Sequence, residues 1–378
     1  MRKIAGLMIS VVLVLSTIGI VMLASTSEYE AAAHYHDRYY FLKRQALYLA
    51  IGMGAMFAGY FVNYRLYRRY FWLIGAITIG MLAMVIIPHV GLNINGSRRW
   101  LRAGPFTIQP SEIAKFAVIV VLSWWMSKHD DRIREFGMGI MAPGALLLPF
   151  IGLIVKEPDF GTTIVCASVG LALMFVGGSR LRYLSVISVI GVVILALIIM
   201  HNPNRVIRFL AFLDPWRYEK TEAYQLLNGE YAFVVGGFSG VGFGHSLQKQ
   251  FYLPESYADF IFPIIGEELG VLLSMAIVLL FVGYFLCGLK ISASAPDTFG
   301  RLVAFGITML ITMQAAFNIA VVTGCIPTKG LPLPFISYGG TSLIVSLGMV
   351  GVLANVARET DVEKLQRLGA IKDRARRI

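Results

Sequence analysis

The sequence predicts an all-α, polytopic membrane protein with about ten transmembrane helices and one large extracytoplasmic loop. Three observations carry that expectation. Hydrophobic residues make up 57% of the 378 residues and charged residues only 15%, with a mean hydropathy of +0.70, well outside the balance of a soluble domain. Apolar stretches near the length needed to cross about 30 Å of hydrocarbon recur along the chain. One long segment, at about 202–261, interrupts them with Gly, Tyr, Phe and charge.

The first stretch, about 7–25, follows a basic MRK start. A signal peptide begins the same way, but no small-residue cleavage site follows, so an uncleaved helix is expected. Stretches at 45–62 and 70–88 flank the YRLYRR turn. The fourth, 111–127, opens on QPSEIAKF, where Pro110 suits a first helical position and Glu112 the first turn. Those at 138–155 and 161–177 flank EPDFGT, in which Pro158 and Gly161 suggest a turn and Glu157 and Asp159 helix capping. The seventh, 183–201, leads into the long loop. Stretches at 262–286, 302–323 and 341–357 complete ten, so residues 1–357 form one transmembrane domain and 358–378 a basic cytoplasmic tail. The tail reads as a short basic helix lying on an anionic leaflet.

Orientation follows from Lys and Arg in the short loops. With the N-terminus inside, 19 of the 33 basic residues fall on the cytoplasmic side, spread over every short loop there. Ten spans then place both termini inside, and the loops at 26–44, 89–110 and 202–261 outside. The net charge of +11 is accordingly a matter of membrane retention and not of nucleic-acid binding. Cys166, Cys287 and Cys325 are widely spaced in or beside apolar runs, as small hydrophobes are. The histidines form no metal-binding pattern, and no Walker A or Rossmann glycine motif appears.

Ionisable residues inside a span are costly unless they face protein or water. Glu112 and Lys115, three apart, share a helix face. They form either an internal salt bridge or the wall of a polar cavity. Upstream, Arg98, Arg99 and Arg102 surround Trp100; such guanidiniums suit diphosphate oxygens or lipid headgroups alike. The segment PTKGLPLPFISYGGTS, 327–342, avoids helix yet is strongly apolar. Lipid tolerates no exposed backbone of that kind, so it must pack in protein or line a cavity, with Lys329 offered as a fixed positive charge. Asp259, at the mouth of the eighth span, either caps a helix or serves as a partly dehydrated general base. Glu255, Glu267 and Glu268 are the other local carboxylates.

These residues carry a resemblance. NGSRRW 95–100, FTIQPSEIAK 106–115, EPDFGT 157–162, GVGFGHS 240–246, FYLPESYADFIFPIIGEELG 251–270, APDTFG 295–300 and NIAVVTGCIPTKGLPLPFISYGGTSL 318–343 occur in the order seen in the SEDS family (shape, elongation, division and sporulation). The similarity runs from the first span to about Arg358, and APDTFG and PTKG look more like its FtsW and SpoVE branch than RodA. The resemblance implies a ten-span peptidoglycan glycosyltransferase of the bacterial cytoplasmic membrane, at the division septum. It would polymerise lipid II into β-1,4 glycan strands and release undecaprenyl diphosphate. Its implied partners are the nascent strand, a class B penicillin-binding protein and other divisome membrane proteins. The family's catalytic aspartate falls on Asp259, and its central-cavity glutamate and lysine on Glu112 and Lys115. Arg98, Arg102, Lys329, Glu255 and Ser337 complete the expected substrate-binding or cavity set.

The chain departs from the family by reading SerTyrAla before the aspartate, where HisThr-type residues are common, and GGTS for GGSS. The first is expected to change hydrogen bonds next to the site, and neither removes an ionisable group assigned to catalysis. No dedicated metal cage is legible, and magnesium or manganese would serve only as an auxiliary screen for the diphosphate. Two other readings share the same helices, a lipid II flippase and a non-catalytic scaffold for a transpeptidase.

Overall fold

The computed structural model of the chain describes residues 1–94, 97–104 and 106–375. Every expected span falls on a helix. In order, α1 is Arg2–Thr26, α2 Glu28–Tyr35, α3 Tyr40–Phe61, α4 Arg65–Arg69 and α5 Phe71–Ile86. Strands β1 (Gly91–Ile94), β2 (Ser97–Ala103) and β3 (Phe106–Ile108) follow, then α6 (Pro110–Lys128). A π-helical turn at Gly137–Met141 opens α7 (Ala142–Lys156), and α8 (Phe160–Val176) and α9 (Leu181–Met200) come next. The long outer segment holds α10 (Pro203–Leu213), a 3-10 turn at Pro215–Tyr218 and α11 (Tyr224–Gly236). Helices α12 (Ile261–Ser294), α13 (Thr298–Val322) and α14 (Gly340–Ala375) close the chain. Among the described residues six helices are both long and apolar enough to cross a membrane, and α5 and α8 are shorter apolar helices.

Local chemistry explains the helix ends. Pro110 opens α6, where its missing N–H costs nothing. Asp159 and Asp297 cap α8 and α13 by accepting from Thr162 N (3.1 Å) and Gly300 N (2.6 Å). The capping expected of Asp159 is therefore met. The region expected as plain loop at 89–110 is instead a small antiparallel sheet ordered β1-β2-β3, with Leu101 pairing both Gly91 and Ile108. Asn95 and Gly96 of NGSRRW lie outside the described residues. The basic tail continues α14 without a break as far as Ala375; its last three residues also lie outside the described set.

Helices α6, α8, α13 and α14 make the centre of the bundle. The most apolar windows of α13 and α14 are 56% and 67% buried, against 6% for α9, which stands at the periphery. The proline-rich connection 327–339 packs inward: Leu331, Leu333, Phe335 and Ile336 are all buried. Gln45 Nε2 donates to Ser337 O (3.0 Å) and Gln314 Nε2 to Pro332 O (2.9 Å). Side chains of the bundle thus satisfy backbone that lipid could not.

Helix α12 is broken at Gly270, whose φ of 79° and ψ of 175° are not helical. A side chain there would also strike Phe238 O, so the break needs glycine. Val271 N donates to Gly237 O (3.0 Å), while Val241 N and Gly242 N donate to Glu267 O and Glu268 O (2.9 and 3.0 Å). The first turns of α12 are thereby bonded to the outer segment.

Candidate active site

Asp259 lies in the tight turn before α12, where Ala258 N and Phe260 N both donate to Glu255 O (2.9 and 3.3 Å). It is half-buried. Helix α13 holds the turn through one side chain: Asn318 Nδ2 donates to Asp259 O (2.8 Å) and to Leu331 O (2.6 Å). Ser337 Oγ donates to Ala258 O (2.7 Å) and accepts from Leu333 N (2.8 Å). Tyr338 N donates to Tyr257 O (3.1 Å). The Asp259 turn and the 327–339 connection are therefore clipped side by side. A Cβ on Gly330 would collide with the Asp259 carboxylate, so only glycine fits there without displacing it.

Burial pushes Asp259 up to about 7, helped by the neighbouring carboxylates of Glu255 and Asp159 and opposed by Arg99. That places a half-dehydrated carboxylate where it exchanges a proton near neutral pH. Glu157, buried two residues before Asp159, is pushed up to about 8 by burial and by Asp159, again opposed by Arg99.

A cavity of about 600 Å3 has Lys329, Gly330 and Asp159 in its wall, and Gly330 is where it comes up to the Asp259 carboxylate. Three guanidiniums also line it, those of Arg99, Arg205 and Arg208, and its other side is apolar: Leu195, Ile199, Phe209, Phe317 and Val321. Arg99 is oriented by donating to Glu157 O (3.2 Å) and Pro158 O (2.8 Å). Arg205 sits 3.9 Å over the Phe160 ring, a cation–π contact, and burial and Arg208 lower its pKa. Burial also lowers that of Lys329. Four cations facing one apolar-walled space suit a lipid-linked diphosphate.

The structure distributes the expected residues unevenly. Asp259, Ser337 and Lys329 come together. Glu255 belongs to the same turn but is exposed. Arg98 and Arg102 are exposed and do not line the cavity; they alternate with Arg99 along β2, and it is Arg99 that turns inward. Glu112 and Lys115 are both buried and pair at 2.8 Å. Lys115 Nζ also donates to Gln314 Oε1 (2.7 Å), and Gln314 in turn holds Pro332 O. The pair thus reaches the site through Gln314 and the backbone beside Gly330.

Glu267 and Glu268 are occupied. Glu268 accepts from Ser25 Oγ (2.7 Å) and Lys249 Nζ (2.8 Å); Glu267 accepts from Leu247 N (2.9 Å) and Ser246 Oγ. Arg205, Arg208, Gln314, Asn318 and Lys249 were not singled out in the sequence. The two arginines carried a readable signal, since PNRVIRFLAFL sets them three apart in an amphipathic pattern. Among the described residues no three His, Cys, Asp or Glu side chains gather for a metal ion, and both Asp159 oxygens accept from Thr162.

The apolar many-helix bundle defines a multi-pass membrane protein. The chain belongs to the cell cycle protein family of FtsW, RodA and SpoVE, whose model matches residues 5–362. It is 38% identical over 346 residues to "Probable peptidoglycan glycosyltransferase FtsW" of Trichlorobacter lovleyi, covering 92% of this chain and 91% of that one. It is 39% identical over 352 residues to stage V sporulation protein E of Bacillus subtilis, covering 93% and 96%. Its fold matches a chain from a solved structure on the coordination of polymerization and crosslinking by a peptidoglycan synthase complex. That match has a TM-score of 0.76 and 26% identity, over 93% of this chain and 97% of that one. The crystal structure of the rod shape determining protein RodA of Thermus thermophilus matches with a TM-score of 0.70 and 24% identity, over 93% and 96%.

Proposed function

We propose that the protein is a peptidoglycan glycosyltransferase that polymerises lipid II into β-1,4 glycan strands and releases undecaprenyl diphosphate. The observation that carries this reading is the Asp259 carboxylate, raised to about 7 on a turn whose backbone Asn318 holds, next to Gly330 in the wall of the cavity that Arg99, Arg205, Arg208 and Lys329 also line. The names of the FtsW relatives support the same activity.

In this scheme the growing strand's diphosphate lies among the four cations and its isoprenoid tail along the apolar wall. Asp259 takes the proton from the GlcNAc 4-hydroxyl of an incoming lipid II. That oxygen attacks the anomeric carbon of the terminal MurNAc, and the bond to the diphosphate breaks. Attack opposite an α-linked leaving group gives the β bond by inversion. A diphosphate screened by guanidiniums departs without a proton, so one base is enough. Glu112, Lys115 and Gln314 brace the connection that carries Gly330 and Lys329.

Both termini are assigned to the cytoplasm by the distribution of basic loops, which sets Asp259 on the outer face. A class B penicillin-binding protein is the partner, a reading supported by the synthase complex that the fold matches. The family description and the FtsW and sporulation relatives favour service in cell division at the septum. The test is to supply lipid II to the outer leaflet of sealed vesicles holding the purified chain and its transpeptidase. Glycan should form with no headgroup crossing the bilayer, and Asp259→Asn should abolish it. Rapid headgroup translocation without glycan would establish a flippase instead, neither translocation nor glycan would leave a scaffold, and glycan undiminished by Asp259→Asn would remove Asp259 from the chemical step.

A further inference from the structure

A second cavity, of about 420 Å3, lies between α1, α3 and α14, at the end of α1 remote from the Asp259 turn. Its size falls within the range of about 300–1,000 Å3 usual for small-molecule sites. Ala5, Ile9, Met53, Met56 and Phe57 give it an apolar floor, and Arg2 and Arg358 stand at its rim. A side chain added at Gly6, also in its wall, would meet nothing within 4 Å. The rim is built: the Arg358 guanidinium lies 5.2 Å over the Tyr60 ring and 5.8 Å over that of Phe61.

The nearby carboxylates are already engaged. Glu359 accepts one N–H of Arg358 (3.0 Å), leaving the rest of the fork, and Asp361 accepts from the backbone N of Arg2 (2.9 Å). An apolar slot within the span of three membrane helices has no use for water, and two cations at its mouth select a negative charge. We infer that this cavity is a binding site for an anionic phospholipid, one acyl chain in the slot and the phosphodiester between Arg2 and Arg358. Basic pockets between helices at a membrane interface hold such headgroups. Charge complementarity selects this occupant over a neighbouring apolar helix, which would offer no acceptor to Arg2 or to the rest of the Arg358 fork.

The test is native mass spectrometry of the full chain in detergent, titrated with phosphatidylglycerol and with phosphatidylcholine of the same chains. Each arginine near an anionic headgroup contributes about fivefold in affinity. Phosphatidylglycerol should therefore bind at least fivefold better than phosphatidylcholine, and Arg2→Gln with Arg358→Gln should erase that preference. Gly6→Phe should fill the slot and displace both lipids, whereas Gly191→Phe on α9, also in open space, should displace neither. Equal binding of the two lipids, or a preference that survives the double substitution, overturns the proposal. So does a photo-cross-linker at position 57 that captures a protein helix in native membranes instead of a lipid.

Discussion

Replacing Asp259 by Asn should abolish polymerisation and, above neutral pH, make the folded protein more stable. The carboxylate is raised from its ordinary 3.8 to about 7, so the folded state holds the proton more tightly than the unfolded chain. Stability from this group is complete below about pH 4, declines as pH rises between the two values and levels off above about 7. At about 1.4 kcal/mol per tenfold the full cost would reach about 4 kcal/mol. Water reaches a half-buried group, which brings the expectation to about 1–2 kcal/mol, a few degrees in melting temperature. Asparagine keeps the shape and never ionises, so its stability should not decline over that window. Thermal unfolding of both proteins at about pH 4 and about pH 8 measures the gap, and lipid II polymerisation in the same preparations should fall by about 10²–10⁴-fold. A gap of equal size at both pH values, or a variant less stable at the higher one, would refute the claim that a dehydrated carboxylate sits here.

Asn318→Ala leaves two carbonyls, of Asp259 and Leu331, without their donor; polymerisation should fall about 10–100-fold through lost positioning, and a loss under twofold would show that the clip is dispensable. Lys115→Ala strands the buried Glu112 and should cost about 3–5 kcal/mol, whereas removing both charges together should recover melting temperature without recovering activity. Equal melting temperatures for the single and double variants would mean that the pair does not hold in solution. Arg205→Gln and Arg208→Gln should each lower kcat/KM for lipid II about tenfold or more with a fall in kcat, because the guanidiniums screen charge that grows on the departing diphosphate; a rise in KM with kcat kept would confine these groups to binding.

Much of this was legible in the residues because each span is a long apolar run, and a helix is the only open-ended backbone that lipid accepts. The 327–342 segment declared itself for the same reason: helix-avoiding and apolar, it had to be packed. The guanidinium of the basic loop was harder. Arg98, Arg99 and Arg102 lie on a strand whose side chains alternate, and a period of two says which residues share a face but not which face is covered. Arg205 and Arg208 were hidden by treating 202–261 as loop, although its amphipathic stretch is a helix. The clamps by Gln314 and Asn318 had no local signal, since each joins segments far apart in sequence. Lys249 similarly finds Glu268 and Ser25 only once α1 and α12 are side by side.

The break at Gly270 separates two kinds of obligation. Residues 271–294 of α12, roughly 36 Å at 1.5 Å per residue, must follow the bilayer, tilting when it thins or thickens. Residues 261–269 are instead bonded to Val241 and Gly242 and, through Glu268, to Ser25 and Lys249, while Val271 just past the break bonds Gly237. Between them stands one glycine in a non-helical conformation, packed against Phe238 O. The part of α12 that follows the Asp259 turn is thus fixed by the outer segment and α1, and the longer part beyond the break by the bilayer it crosses.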